Sequence, residues 1–261
     1  MRRSSTPPAE RESAAVVVAH PDDEALWLSS VLASAERVVY CFGEPFAKPA
    51  IASARRRVLA ALPLPGVTDL GIPESGARFS ADWAEPVLTA TGIEVLDPAA
   101  RVRYAANYPR LTAALRPVLA GHRHVYTHNP WGEYGHTEHV QVHRAVAALQ
   151  AELGFTLWFS NYVGPASWPL AQALAAALRW GERRVLATDR PLARRLRRLY
   201  RRHGVWTWSI AHRWPAQETL YALPPAADAA PRHAFHGEAL LDVARLRWWP
   251  MPWRSPQRAL R

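Results

Sequence analysis

Cysteine is all but absent: Cys41 is the only one, so no intrachain disulfide can form and a thiolate metal site is excluded. Lysine is equally scarce. Lys48 stands alone, so the formal net charge of +10 rests on arginine. A compositional bias of the genome produces that pattern as readily as selection for an anionic partner, and charge alone constrains partners little. Long apolar runs are missing as well. The first apolar stretch, residues 14–19, is too short for a signal-peptide core or for a membrane span of roughly 20 residues, and cytoplasmic residence is the expectation. No repeat at a fixed period is visible, which sets solenoids and propellers aside. What is present, 261 residues with 49% hydrophobic and 21% charged, suits one folded domain with a full core, or one domain with an appended lobe.

Short β-branched runs alternate with helical spacing between residues 14 and 159, the order expected of an α/β protein with a mostly parallel sheet flanked by helices. Strands are predicted at 14–19, 37–42, 67–70, 124–127 and 156–159, and helices at 24–35, 50–62 and 109–120, followed by one from about Glu138. In that last helix Val142, Ala145, Val146 and Leu149 fall on one face. Further helices are expected around 170–180 and 191–202. Residues 71–107 are long for a plain connection and read as a substrate-facing excursion. The predicted organisation is a flexible N-terminus over 1–13, one domain over 14–223, and an irregular Pro-, Trp- and Arg-rich C-terminal extension over 224–261.

Two clusters carry the chemistry. His20-Pro21-Asp22-Asp23-Glu24 sits where the first strand gives way to a helix, the end of an open α/β sheet at which ligands bind. Asp22 or Asp23 capping that helix is the alternative reading. The second cluster, Thr127-His128-Asn129-Pro130-Trp131-Gly132-Glu133-Tyr134-Gly135-His136-Thr137-Glu138-His139, also follows a strand and opens a helix, so both should share one sheet edge. One imidazole from each cluster plus a carboxylate makes a three-ligand zinc site with an open position. His20, Asp23 and His139 are the natural choice, leaving Asp22 free as a base. His143, one turn further along, is expected to be structural, and His128 to line the pocket or hold Asn129 and Glu133 rather than bind the metal.

Taken together, Ala19-His20-Pro21-Asp22-Asp23-Glu24 and Gly135-His136-Thr137-Glu138-His139 resemble the paired signature of the LmbE-like, or PIG-L, family of zinc-dependent N-acetylglucosaminyl deacetylases, over roughly residues 14–163. The resemblance implies a Rossmann-like sheet and hydrolysis of an acetamide on an amino sugar. It implies His20, Asp23 and His139 as ligands to Zn2+, with Fe2+ as the alternative ion, Asp22 as general base, His136 as general acid and Tyr134 near the substrate carbonyl. Two departures stand out. Glu138 replaces the family's usual Asp and is one methylene longer, which bears on its expected hydrogen bond to His136. The run Arg55-Arg56-Arg57 contains no acid, so the arginine that meets substrate is open.

An amide needs an activated water, a place for the oxyanion and an acid for the leaving nitrogen. Zinc with Asp22, Tyr134 and a His136 kept cationic by Glu138 would supply these. Arg56, Asn129 and Trp131 are candidate substrate contacts, Trp131 as a flat wall against a sugar face. Most of the other tryptophans, Trp206 and Trp208 included, are expected to serve packing. The arginines of 194–202, interleaved with Leu192, Leu196 and Leu199, read as the solvated face of a helix or as a contact for an anionic membrane, glycan or nucleic acid. The expected substrate is a small amino sugar or glycoconjugate. The rivals are an amidase on a thiol-sugar conjugate or other small acylated amine, and a basic nucleic-acid or anionic-lipid binding module with a degenerate site.

Overall fold

Apolar residues at every position of Ala14–Val18 (β1), the last three of them β-branched valines, leave no side for water, and β1 lies buried inside a sheet. The computed structural model describes residues 13–175, 177–225, 233–235 and 240–246. After β1 come Asp23–Trp27 (α1), Arg37–Tyr40 (β2), Pro49–Ala60 (α2), Val67–Asp69 (β3), Leu88–Thr89 (β4), Gly92–Ile93 (β5), Pro98–Leu119 (α3), His124–Thr127 (β6) and Thr137–Leu153 (α4). Then follow Thr156–Ser160 (β7), Tyr162–Val163 (β8), Trp168–Ala175 (α5), Arg179–Trp180 (β9), Arg183–Ala187 (β10), Arg190–Arg202 (α6), Gln217–Leu223 (β11), His233–Ala234 (β12) and Leu241–Asp242 (β13).

The main sheet has seven strands in the order β10-β11-β7-β6-β1-β2-β3. From β7 to β3 the pairing is parallel, whereas β11 and β10 run antiparallel. Alternation along β1 feeds two cores. Val16 and Val18 face Leu26, Val58 and Leu196 of α1, α2 and α6, and Ala15 and Val17 face Leu111, Leu115 and Val142 of α3 and α4. Because β1 and β6 are neighbours in parallel register, with Val17 beside Thr127, the two histidine-bearing segments leave the sheet side by side.

Several predicted bounds shift for identifiable reasons. The helix expected over 24–35 stops at Trp27, because β11 supplies Glu218, which accepts hydrogen bonds from Ser29 Oγ and the Ser30 amide at 3.2 and 3.1 Å. Leu28, Leu32 and Ala35 are buried all the same. The helix expected over 109–120 begins at Pro98, capped by Asp97, which accepts from the Ala100 amide, and it carries Pro109 and Pro117 inside it. The helix around 170–180 ends at Ala175, and residues 179–180 form β9 instead. Strands β10 and β11 were not predicted, and parts of the extension beyond Pro224 are ordered as β12, β13 and a short 3-10 turn, paired with β9 and β8. The expectations for residues 1–12 and for Trp248, Trp249 and Trp253 lie outside the described residues. Among the described residues no helix is long and apolar enough to cross a membrane.

Candidate metal centre

Asp22 is the hinge between β1 and α1, and it does not cap the helix. Its φ is 103°, a left-handed conformation that a non-glycine residue adopts at a cost of ~1–3 kcal/mol, and its side chain makes no cap hydrogen bond. One local contact and two from far along the chain hold it there. Its amide donates to Glu24 Oε2 at 3.1 Å, and its Oδ2 accepts from the Thr207 amide and Thr207 Oγ1 at 2.7 and 2.8 Å. The other oxygen, Oδ1, is buried with no partner. Burial, then the charge of Asp23, pushes this carboxyl upward, against the Thr207 hydrogen bonds.

Asp23 turns the other way. Oδ1 accepts from Trp27 Nε1 at 3.2 Å, and Oδ2 faces two imidazoles, His20 Nδ1 at 3.2 Å and His139 Nε2 at 3.3 Å. Against its burial, the charge of His139 and the hydrogen bond to His20 hold the Asp23 carboxyl well below the usual range. Each imidazole has its far nitrogen tied to a carboxylate: His20 Nε2 to Glu138 Oε2 at 2.8 Å, and His139 Nδ1 to Glu133 Oε2 at 2.7 Å. Carboxylate–histidine pairs of this kind orient a ring and fix its tautomer, so that its second nitrogen presents a lone pair to a metal. His139 Nε2 is buried and lacks a hydrogen-bond partner.

The imidazoles and the Asp23 carboxylate gathered here form a donor set that fits a divalent cation. Ligand atoms ~2.0–2.1 Å from a tetrahedral zinc stand ~3.3 Å apart, close to the separations of Asp23 Oδ2 from the two imidazole nitrogens. Asp23, Glu133 and Glu138 are buried yet held on the charged side of the usual carboxylate range, and buried carboxylates that stay charged require compensating positive charge. Donor atoms of His20, His136 and His139 cluster within 4.8 Å of one another, as do those of Asp23, His128 and His139. His128 is already committed, since its Nε2 accepts from the Ala19 amide at 2.8 Å and its Nδ1 faces Glu133 at 3.1 Å.

The turn inside the second cluster relies on glycine. Gly132 and Gly135 have φ of 70° and 93°, and a Cβ on Gly132 would stand 2.6 Å from the His136 carbonyl oxygen. The turn places Tyr134 edge-on to His136 and His139, with ring centroids 5.8 and 5.5 Å away. His136 stacks on His139 at 4.5 Å, and its Nδ1 accepts from the Glu138 amide at 3.3 Å.

Four expectations are corrected. Glu138 does not support His136: its longer side chain reaches across to His20 and to the Ser75 amide and hydroxyl, both 2.6 Å away. Burial and the charges of His139 and His20 therefore hold His136 neutral, well below the usual imidazole range. Trp131 cannot wall a pocket, because it is fully buried and donates to the Tyr162 carbonyl at 2.7 Å. Asn129 is also buried, with its amide group spent on Ser160 and Tyr162 carbonyls and on the Glu133 amide. Arg56 is exposed and paired with Glu44, whereas Arg55 is buried and binds Glu74 at 2.7 Å. Glu74 lies 3.9 Å from His20 Nε2, so within the 55–57 run Arg55 is the arginine next to the cluster.

Sequence reasoning missed Thr207, Trp208 and Ser75. Trp208 packs on Tyr134 at 4.6 Å and on Trp27 at 5.3 Å, and Phe79 reaches Tyr134 and His136 from the 71–97 excursion. No local spacing announces these residues, because they arrive from other elements. The one available signal was the aromatic density of Trp206-Thr207-Trp208.

His143 is structural, as expected. It donates from Nδ1 to the His128 carbonyl at 2.7 Å, and burial lowers it from 6.5 to about 4. An unfolded chain binds a proton at this position between those two values and the folded chain does not, so stability falls as pH drops through that window. Replacing His143 with Gln, which can keep the donor, should remove about 2 kcal/mol of the stability loss between about pH 7 and pH 5. Urea midpoints of the two proteins at both pH values measure this.

No family model and no curated protein matches the sequence. Among solved structures, the chain is similar to a deacetylase of the teicoplanin biosynthesis pathway in complex with teicoplanin: 13% identity, 82% of this chain and 99% of that one, TM-score 0.53. It is likewise similar to the zinc-inhibited form of the teicoplanin deacetylase Orf2: 14% identity, the same coverage, TM-score 0.54. At these identities the likeness is one of fold: this chain has the α/β fold of those deacetylases.

Proposed function

We propose that the protein is a metal-dependent amide hydrolase of the LmbE-like type that removes an N-acetyl, or another N-acyl, group from an amino sugar of a glycoconjugate. The observation that carries this reading is the placement of His20 and His139 on either side of Asp23 Oδ2, each backed by its own carboxylate. The shared fold with deacetylases of the teicoplanin biosynthesis pathway supports the substrate class.

In this reading His20, Asp23 and His139 hold the ion. A divalent metal bound there, Zn2+ or Fe2+, supplies a Lewis acid that acidifies water and polarises the amide carbonyl. Asp22 Oδ1, unpartnered while Thr207 steadies Oδ2, takes the proton of the attacking water. The leaving nitrogen must be protonated before the C–N bond breaks, and Asp22 returns the same proton to it. His136 differs from the role its family resemblance implies. With Nδ1 accepting an amide hydrogen, the neutral ring carries its proton on Nε2 and acts as a hydrogen-bond donor to charge developing on the amide. The Tyr134 hydroxyl is the second donor.

Replacing Thr207 with Val removes one of the two hydrogen bonds on Asp22 and leaves the backbone one. Turnover should fall roughly ten- to a hundredfold, the worth of a hydrogen bond to a charged group, with metal content unchanged and Thr207→Ser restoring activity. Steady-state kinetics with metal analysis of each variant check this. The function itself is tested by acetate release from a panel of N-acetyl amino sugars and N-acyl glycoconjugates, before and after chelation. Release that disappears with the chelator and returns with Zn2+ is expected. No release across the panel removes the proposal.

A further inference from the structure

Helix α6 buries Ala193, Leu196 and Tyr200 against the sheet and turns its arginines outward. Two of them are tied down: Arg190 donates to the Trp214 and Pro215 carbonyls, and Arg197 to those of Ile210 and His212. Arg194, Arg195, Arg198, Arg201 and Arg202 are exposed and meet no carboxylate among the described residues. Like charges one helical turn apart weaken a helix, and here no acid on α6 offsets them. Burial, then the charges of Arg201, Arg194 and Arg198, pulls Arg197 below the usual guanidinium range. Two clefts flank the helix, both away from the His20–Asp23–His139 cluster. One, about 250 Å³, runs between Arg195, Arg198 and Arg202 and the end of α2 at Ala61 and Pro63. The other, about 490 Å³, joins Arg190, Arg194 and Arg197 to Ile210 and Arg213.

We propose that this face docks the protein on an anionic lipid bilayer, with α6 lying on the headgroups and Ile210 entering the boundary with the acyl chains. Charge complementarity supplies the attraction, since basic side chains close to an anionic leaflet each add to binding. Ile210 chooses the lipid. It is 67% exposed among arginines, a position where an aliphatic side chain gains from a membrane interface and gains nothing from a phosphodiester backbone. Trp214, the ring beneath Arg197, is buried and cannot stack on a base as a single-strand reader requires. The apolar face of α6 is committed to the core, so the helix lies on the surface rather than inserting. The loop that carries Ile210 also carries Thr207 to Asp22, which joins this face to the candidate site.

The test uses the full chain in sedimentation with vesicles of phosphatidylcholine containing about a third phosphatidylserine, beside vesicles of phosphatidylcholine alone. Binding to the anionic vesicles only, weakened by salt, is expected. Arg195→Gln, Arg198→Gln and Arg202→Gln together should lower affinity on the order of a hundredfold at an unchanged melting temperature. Ile210→Ser should weaken vesicle binding several-fold while leaving retention on a heparin column unchanged, so the proposal stays testable if the triple variant does not fold. Three results overturn the proposal: a protein that stays in solution with anionic vesicles at low salt, a folded triple variant that binds as the parent does, or duplex DNA held more tightly than vesicles with Ile210→Ser binding vesicles normally.

Discussion

Asp22→Ala should retain the metal and lose turnover by ~10²–10⁴, the range expected when a general base is removed, whereas His139→Ala should lose both. The two residues are neighbours in space yet differ in what holds them. Asp22 Oδ2 belongs to Thr207 and its Oδ1 has no partner, so no part of its carboxylate contributes to the imidazole cluster. His139 has one nitrogen on Glu133 and the other bare and facing Asp23. Removing it deletes a ligand atom and leaves Glu133 with a buried charge that has lost a partner, which costs stability as well. Metal content of the purified variants, measured beside their kcat, separates the roles. Equal metal loss in both would show that base and ligand have been exchanged.

The second large effect is expected at Glu138, which touches no substrate in this account. Glu138→Gln keeps an oxygen for the Ser75 amide and hydroxyl but turns an NH2 group toward His20 Nε2. That group donates where the carboxylate accepted, and the His20 ring must move its proton to Nδ1, the nitrogen that faces Asp23. Metal affinity should fall 10–100-fold, the usual consequence of losing a carboxylate behind a ligating histidine. Calorimetric titration of the metal-free protein with Zn2+ measures it without any substrate. Affinity equal to that of the parent would show that Glu138 does not set the His20 tautomer.

Much of the site was legible because it follows from local order. A strand ending at Val18 and one ending at Thr127 had to deliver His20 and His139 to one edge once the two strands paired in parallel, as they do. What was not legible depends on reach across the fold. The family resemblance pairs the acid at 138 with His136, yet the extra methylene of Glu138 carries its carboxylate to a residue 118 positions away. Asn129 and Trp131 sit inside the motif and are consumed by backbone carbonyls of β7 and β8, because a motif's polar residues support its turn as often as they face a ligand. Thr207 arrives from 185 positions away on a loop with no regular spacing. The same applies to the short α1: its interruption at Ser29 depends on Glu218 of β11, a strand whose arginine-bearing partner β10 has no clean alternation of apolar residues to announce it.

The central claim is that two distant stretches of chain grip a single ion, and X-ray absorption at the metal edge of the Zn2+-loaded protein tests it most directly. The account predicts two imidazole nitrogens and one carboxylate oxygen at ~2.0–2.2 Å, with one imidazole lost in His20→Ala and no bound Zn2+ left in His139→Ala. A first shell of water oxygens alone, or a spectrum unchanged by either substitution, would contradict it.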